Sequence, residues 1–287
     1  MTQPLPTLFL SHGSPMHALD AGAAGAAWAQ FGRSLPRPRA ILMASAHWDT
    51  ALPMVTGSAH PETIHDFGGF PDELYRIQYP APGAPEIAQR AATLLKQAGF
   101  TAGIDGTRGL DHGAWVPLLA MYPDADVPVV QVSVQTQRGV AHHWHLGAAL
   151  APLADEGVLI VGSGHATHNL RDWMQWAQTH YRSKDPRRPD RSDSAASAMP
   201  YASQFAEWLA ARLAEHDRDA VIEYREREPG GARAHPSEEH YVPLLVAWGA
   251  AGQDARSERF HRAIEGGALA MDAYAFWPAE NSRARAA

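Results

Sequence analysis

Short apolar runs alternate with amphipathic stretches along almost the whole chain. The runs at residues 7–10, 40–46, 127–134 and 158–161 are rich in branched side chains, are bounded by turn formers, and predict core strands. Between them, helical spacing predicts helices over 18–31, with Trp28 and Phe31 on one face, and over 84–98, with Ile87, Ala91, Leu94 and Leu95 inward and Gly99 as the stop. Further helices are expected over 142–153, 201–215 and 241–250, and over 114–122 despite Pro117. A last strand is expected within 267–276. The stretches 64–71, 79–83 and 225–233 hold too many Gly, Pro or charged residues for regular structure. From Asp172 to Ala196 the composition shifts, and this segment reads as a surface excursion, either a mobile lid or a contact to another subunit. Strands alternating with helices, with no linker and no repeat, predict a three-layer α/β/α fold. Its central sheet is expected to be mostly parallel or mixed, with residues 1–287 in one domain.

Composition narrows the class. A hydrophobic fraction of 45% with 19% charged residues is that of a globular protein with a substantial core. A net charge of -7 argues against a general nucleic-acid binder, which needs clustered positive charge, and against an anionic membrane surface. The chain has no cysteine, so thiolate catalysis, Cys-ligated metals and disulfides are excluded. Neither a secretory leader nor a membrane-length apolar run is visible, and a cytoplasmic location is the expectation.

The 16 histidines are the anomaly, and three of the strand runs deliver histidine where they end. The first leads into Ser11-His12-Gly13-Ser14-Pro15, the second into Ser45-Ala46-His47, and the third into Gly162-Ser163-Gly164-His165-Ala166-Thr167-His168. Open α/β sheets place their ligands at the carboxyl ends of strands, so His12 and His47 are candidates to share one metal ion. His240, after Glu238 and Glu239, stands where a helix begins, a rigid mount for a ligand that those residues and Ser237 would also cap. His168 is a candidate acid or base. His112 is another, with Asp111 beside it to orient its ring. Trp48, Phe67, Phe70 and Tyr79 are candidates for an aromatic substrate wall. Residues 142, 143 and 145 are also histidines, but they open a helix where neighbouring rings diverge, and they read as a surface cluster. No nucleophile elbow, dinucleotide fingerprint, phosphate-binding loop or H-E-x-x-H pair is present.

These segments, with Thr63-Ile64-His65-Asp66-Phe67-Gly68-Gly69-Phe70-Pro71, Tyr79-Pro80-Ala81-Pro82-Gly83, Asp111-His112-Gly113, the Met121 to Asp126 stretch, His168-Asn169-Leu170 and Glu239-His240-Tyr241, resemble the class III extradiol ring-cleaving dioxygenases, in the branch of DOPA dioxygenase-like proteins. The resemblance implies His12, His47 and His240 as metal ligands, with His168 a fourth ligand or the acid/base beside the metal. It implies His112 on the substrate side, where His65 and Trp48 are also placed. It implies ferrous iron, a catechol and dioxygen as reactants, with a homo-oligomer possible. The wider class often uses two histidines and a carboxylate. The matching third position here is His240, and an all-histidine set suits zinc as well as iron. A zinc hydrolase on the same scaffold and a non-catalytic, metal-stabilised binding protein are the alternatives.

Overall fold

The computed structural model describes residues 5–180 and 198–279. Among the described residues, ten strands and eleven helices follow one another as β1 (Thr7–Ser11), α1 (Gly22–Ser34), β2 (Ala40–Asp49), β3 (Met54–Thr56), α2 (Pro85–Gln97), β4 (Gly103–Asp105), α3 (His112–Met121), β5 (Val129–Val134), α4 (Val140–Leu150), α5 (Pro152–Asp155), β6 (Val158–Gly164), α6 (Leu170–His180), α7 (Pro200–Ala214), α8 (Arg218–Ile222), α9 (Tyr224–Arg227), α10 (Gly231–Ala234), α11 (Val242–Ala251), β7 (Arg256–His261), β8 (Ile264–Glu265), β9 (Leu269–Ala270) and β10 (Ala273–Trp277), with three short 3-10 turns between. Eight strands form one mixed sheet in the order β4-β3-β5-β2-β6-β1-β10-β7. Its middle, β5-β2-β6-β1, is parallel, and β10 closes it antiparallel against β1.

Side-chain alternation along the central strands sorts the core into two faces. Leu8, Leu10, Ile41, Met43, Leu159 and Val161 pack on one side with Trp28 of α1 and with Ala114, Trp115 and Leu118 of α3. Phe9, Leu42, Ala44, Val158 and Ile160 face the other way, toward α2, α4, α7 and α11. Every residue of β1 and β6 is buried, as expected of strands covered on both faces. This is the three-layer arrangement that the periodicity predicted.

Several boundaries moved, each for a local reason. The strand expected over 40–46 runs on to Asp49, so His47 sits inside β2 rather than beyond it. The strand expected over 158–161 continues to Gly164. The helix expected over 142–153 breaks at Ala151, because Pro152 has no N–H to continue it and instead opens α5. The stretch 225–233 is not a loop but carries most of α9 and α10. The expected excursion begins within α6, whose Trp176 is buried, and residues 181–196 of it lie outside the described residues. The histidine cluster of α4 is not all on the surface. His143 is fully buried, its Nδ1–H donating to the Gly139 carbonyl at 2.9 Å and its Nε2 accepting the backbone N–H of Gln135 at 2.9 Å. Burial pushes the His143 pKa down to about 3. Among the described residues no helix is long and apolar enough to cross a membrane.

Candidate active site

The carboxyl ends of β1, β2 and β6 lie side by side, with Leu10 opposite Ser163 and Ser45 opposite Ser163 in register. The backbone ladder continues past the strands. The N–H of His12 donates to Gly164 O at 3.0 Å, and the N–H of His165 donates to His240 O at 2.9 Å. The second contact requires glycine nearby, because a Cβ on Gly164 would lie 2.1 Å from the His240 carbonyl oxygen. A Cβ on Gly162 would lie 2.0 Å from that of Pro243. Gly162-Ser163-Gly164 is thus the bed on which the start of α11 rests, and it carries His240 to the strand ends.

One ring nitrogen from each of His12, His47 and His240 falls in a group whose atoms all lie within 4.8 Å of one another. The Nε2 atoms of His12 and His47 are 3.1 Å apart. Two nitrogens each bound about 2.1 Å from a common ion would stand roughly 3.0–3.4 Å apart, so this spacing fits a shared metal. The outer nitrogens of His12 and His240 are hydrogen-bonded and that of His47 faces a carboxylate, which leaves the inner ones free. Ser163 Oγ donates its hydrogen to Gly113 O, so toward His12 Nδ1, 2.9 Å away, it acts as acceptor. His12 is therefore protonated on Nδ1 and carries its lone pair on Nε2. Nδ1 of His47 faces Asp66 Oδ2 at 3.6 Å, and Nδ1 of His240 lies 3.2 Å from Glu239 Oε1. Partners of this kind on the outer nitrogen are the usual support of metal-binding imidazoles. Burial, reinforced by the neighbouring imidazoles, holds the pKa values of His12 and His240 well below the ordinary histidine range. Burial brings that of His47 down to about 4. All three rings are neutral at pH 7, the form that binds a metal. The residues present fit a divalent ion.

The remaining candidates divide. The His168 ring stacks on that of His240, with centroids 3.5 Å apart and planes 11° from parallel, and His168 forms with Glu239 and His240 a second group of adjacent donor atoms. His112 lies at the opposite flank, 3.8 Å from the His47 ring. The carboxylate that orients it is not its neighbour Asp111. Asp111 is fully buried and accepts from Ser45 Oγ (2.6 Å), Gln131 Nε2 (2.7 Å) and Arg108 (3.1 Å). Asp66, from the loop before the 3-10 turn at Leu74–Arg76, takes that role through the Nδ1 of His112 at 3.0 Å. Burial alone would raise the pKa of Asp66, but hydrogen bonds from His112 and the field of its ring outweigh this and hold the carboxyl at about 2.

A cavity of about 340 Å³ opens onto these rings, and His12, His47, His112, His168, His240 and Phe67 are among its lining. Phe70 also lines it, whereas Trp48, His65 and Tyr79 do not. Trp48 follows His47 in β2, so pleating turns it to the opposite face, where Arg108 lies 4.8 Å over its ring. Nε2 of His65 is 3.0 Å from Ile77 O, and its ring packs on Phe67, Tyr75 and Trp115 behind the cavity wall. Tyr79 is fully buried and donates its hydroxyl to Tyr122 O at 3.0 Å. The expected cap at residues 237–239 is also different. Backbone N–H groups of Tyr241 and Val242 bond to Glu238 O, while the Glu238 carboxylate pairs with Arg225 at 3.0 Å.

Sequence reading missed three wall elements. His165 is buried, with its ring 5.0 Å from that of His12 and its Nε2 3.2 Å from Gly13 O. It lies three residues before His168, just past the Gly162-Ser163-Gly164 end of β6, so its place at a strand end is the signal that marks it. Trp173 and Trp176 line the outer end, packed on the Gly266-Gly267 turn between β8 and β9. Both glycines have positive φ (53° and 69°), and a Cβ on either would strike an indole. His17, whose Nε2 is 3.2 Å from Glu265, completes that end.

Comparison with known proteins gives this geometry its context. Residues 6–268 match the family described as the catalytic LigB subunit of aromatic ring-opening dioxygenase. The 4,5-DOPA dioxygenase extradiol of Beta vulgaris is 43% identical over 274 residues, 94% of this chain and 96% of that protein. The protein of the same name from Escherichia coli (strain K12) is 42% identical over 249 residues, 86% and 85% of the two chains. A crystal structure of an uncharacterized protein from Escherichia coli K12 superposes with a TM-score of 0.75 at 35% identity, covering 94% of this chain and 99% of that one. The chain belongs to the LigB family of aromatic ring-opening dioxygenases. Within that family it is a metal-dependent enzyme of the extradiol, ring-cleaving kind.

Proposed function

We propose that residues 1–287 act as one catalytic domain that opens the ring of a DOPA-like catechol with dioxygen, using ferrous iron held by His12, His47 and His240. The observation carrying this reading is the convergence of the three imidazoles, each with its outer nitrogen directed to Ser163, Asp66 or Glu239. Bound ferrous iron would supply Lewis acidity toward the catechol hydroxyls and electron exchange with dioxygen, the second of which zinc cannot provide.

The chain's own groups do the rest. His112, with its N–H committed to Asp66, turns an Nε2 lone pair to the cavity and accepts the proton of a catechol hydroxyl. His168, kept neutral by burial, stands at the other flank and serves as the second proton acceptor or as a further ligand. Phe67 and Phe70 offer apolar faces to the ring, and Trp173 and Trp176 face whatever substituent it bears. The mainly apolar wall excludes water from the reacting end.

The test is a catechol panel on metal-stripped protein reloaded anaerobically with Fe(II) or Zn(II). Oxygen uptake with a yellow ring-opened product is expected with iron and not with zinc. Ester or amide hydrolysis supported by zinc without oxygen would replace this reading with the hydrolase.

A further inference from the structure

Asp66 contacts two of the site's histidines at once. Its Oδ1 accepts both the backbone N–H of His112 (2.9 Å) and the ring Nδ1–H (3.0 Å), while Oδ2 faces Nδ1 of His47 at 3.6 Å, beyond hydrogen-bond length. A neutral imidazole has one N–H. With that hydrogen bound to Asp66, a His112 ring in its neutral form can only accept on the cavity side. The opposite tautomer would set a lone pair against a carboxylate. Asp111 cannot substitute, since its oxygens are occupied by Ser45, Gln131 and Arg108.

We propose that Asp66 is a positioning residue that acts through His112, fixing the ring and its tautomer so that the cavity presents a hydrogen-bond acceptor to a substrate hydroxyl. This deepens the ring-opening reading and rests on it for the identity of that hydroxyl. The site therefore selects a ligand with an O–H at this point over one with a carbonyl or ether oxygen. In Asp66→Asn the amide oxygen can keep both of these hydrogen bonds, but without the negative charge it holds the ring N–H less strongly and the opposite tautomer, a donor toward the cavity, becomes accessible. Asp66 is partly exposed, its side chain 23% accessible, so the isosteric change leaves the core untouched.

The experiment compares the iron-loaded parent with Asp66→Asn, Asp66→Glu, His112→Ala, and Asp66→Asn combined with His112→Ala. Asp66→Asn is expected to lower kcat/KM by about 10–100-fold, with KM rising as the hold on the hydroxyl weakens, and Asp66→Glu to recover part of the loss. Because Asp66 acts through His112, the double variant should be no slower than His112→Ala within about twofold, whereas an independent structural role would multiply the two losses. A binding measurement stands apart from turnover. Zinc-loaded parent should bind 4-nitrocatechol, followed by its visible absorption, about tenfold or more tightly than zinc-loaded Asp66→Asn. Parent-like kcat/KM and 4-nitrocatechol binding in Asp66→Asn, or multiplied losses in the double variant, would overturn the role of Asp66 and leave ring opening standing. A parent without ring-opening activity would remove that reading, and the 4-nitrocatechol comparison would still decide on Asp66.

Discussion

Pro117 has no N–H to offer the carbonyl of Gly113 one helical turn before it, and Ser163 Oγ donates to that carbonyl instead. An imperfection in α3 thereby sets the hydrogen-bond direction in β6. Ser163, having spent its hydrogen, can only accept from His12 Nδ1. The free lone pair of His12 in the cavity follows from a proline in a helix that does not carry His12.

That chain of contacts predicts a specific loss. Ser163→Ala removes the acceptor on the outer nitrogen of His12 and should weaken divalent-metal affinity by about 10–100-fold, the usual effect of losing such a partner. Competition with a chromophoric chelator measures it. Affinity equal to the parent's would show that the tautomer of His12 is fixed by something else.

Gly164→Ala tests the bed under α11. The new methyl would meet the His240 carbonyl oxygen, which belongs to backbone and cannot swing aside. A destabilisation of about 1–3 kcal/mol is expected, with loss of bound metal as His240 is pushed from the strand ends. Gly162→Ala meets Pro243 O instead and should cost similar stability while releasing less metal. Thermal melts and metal content, taken together, separate the two. Equal metal loss in both would contradict the placement of His240 by Gly164.

Acid should destabilise the metal-free protein. Burial depresses the pKa values of His47 and His165 to about 4, and those of His143 and His235 to about 3, from the ordinary 6.5. The unfolded chain binds these protons first as pH falls, so the stability tied to each ring is intact above pH 6.5 and erodes as pH drops toward the folded-state value. Each ring contributes a slope of at most about 1.4 kcal/mol per pH unit in that window. Asp272 works in reverse. Burial raises its pKa from 3.8 to about 6, so its contribution is present below 3.8 and lost as pH rises through 6. Four rings outweigh one carboxyl, and urea midpoints should fall steadily from pH 7 to pH 5. A flat or rising profile would show that the rings are hydrated in solution.

The sheet and the meeting of His12 with His47 are legible because both depend on local pattern, whereas His240 joins them only through the family resemblance. Apolar runs gave the strands, and turn residues after them gave the ends where side chains leave the core. What the pattern could not carry was orientation. Trp48 belongs to the motif that carries the resemblance, yet adjacent strand residues point to opposite faces, and the extension of β2 to Asp49 is not visible in its composition. Asp111 pairs with His112 only by closeness in sequence, although Asp66, far away along the chain, holds the ring. His143 was read as exposed because its two neighbouring histidines obscured a buried position of α4. Trp173 and Trp176 reach the cavity only through the Gly266-Gly267 turn, a contact between distant segments with no short-range signature.

The three converging imidazoles come from the residue after the first strand, from the second strand and from the approach to α11. A nascent chain leaving the ribosome therefore carries two of them before residue 240 emerges and supplies the third. During synthesis, ion capture by the full triad follows the emergence of every strand from β1 to β6.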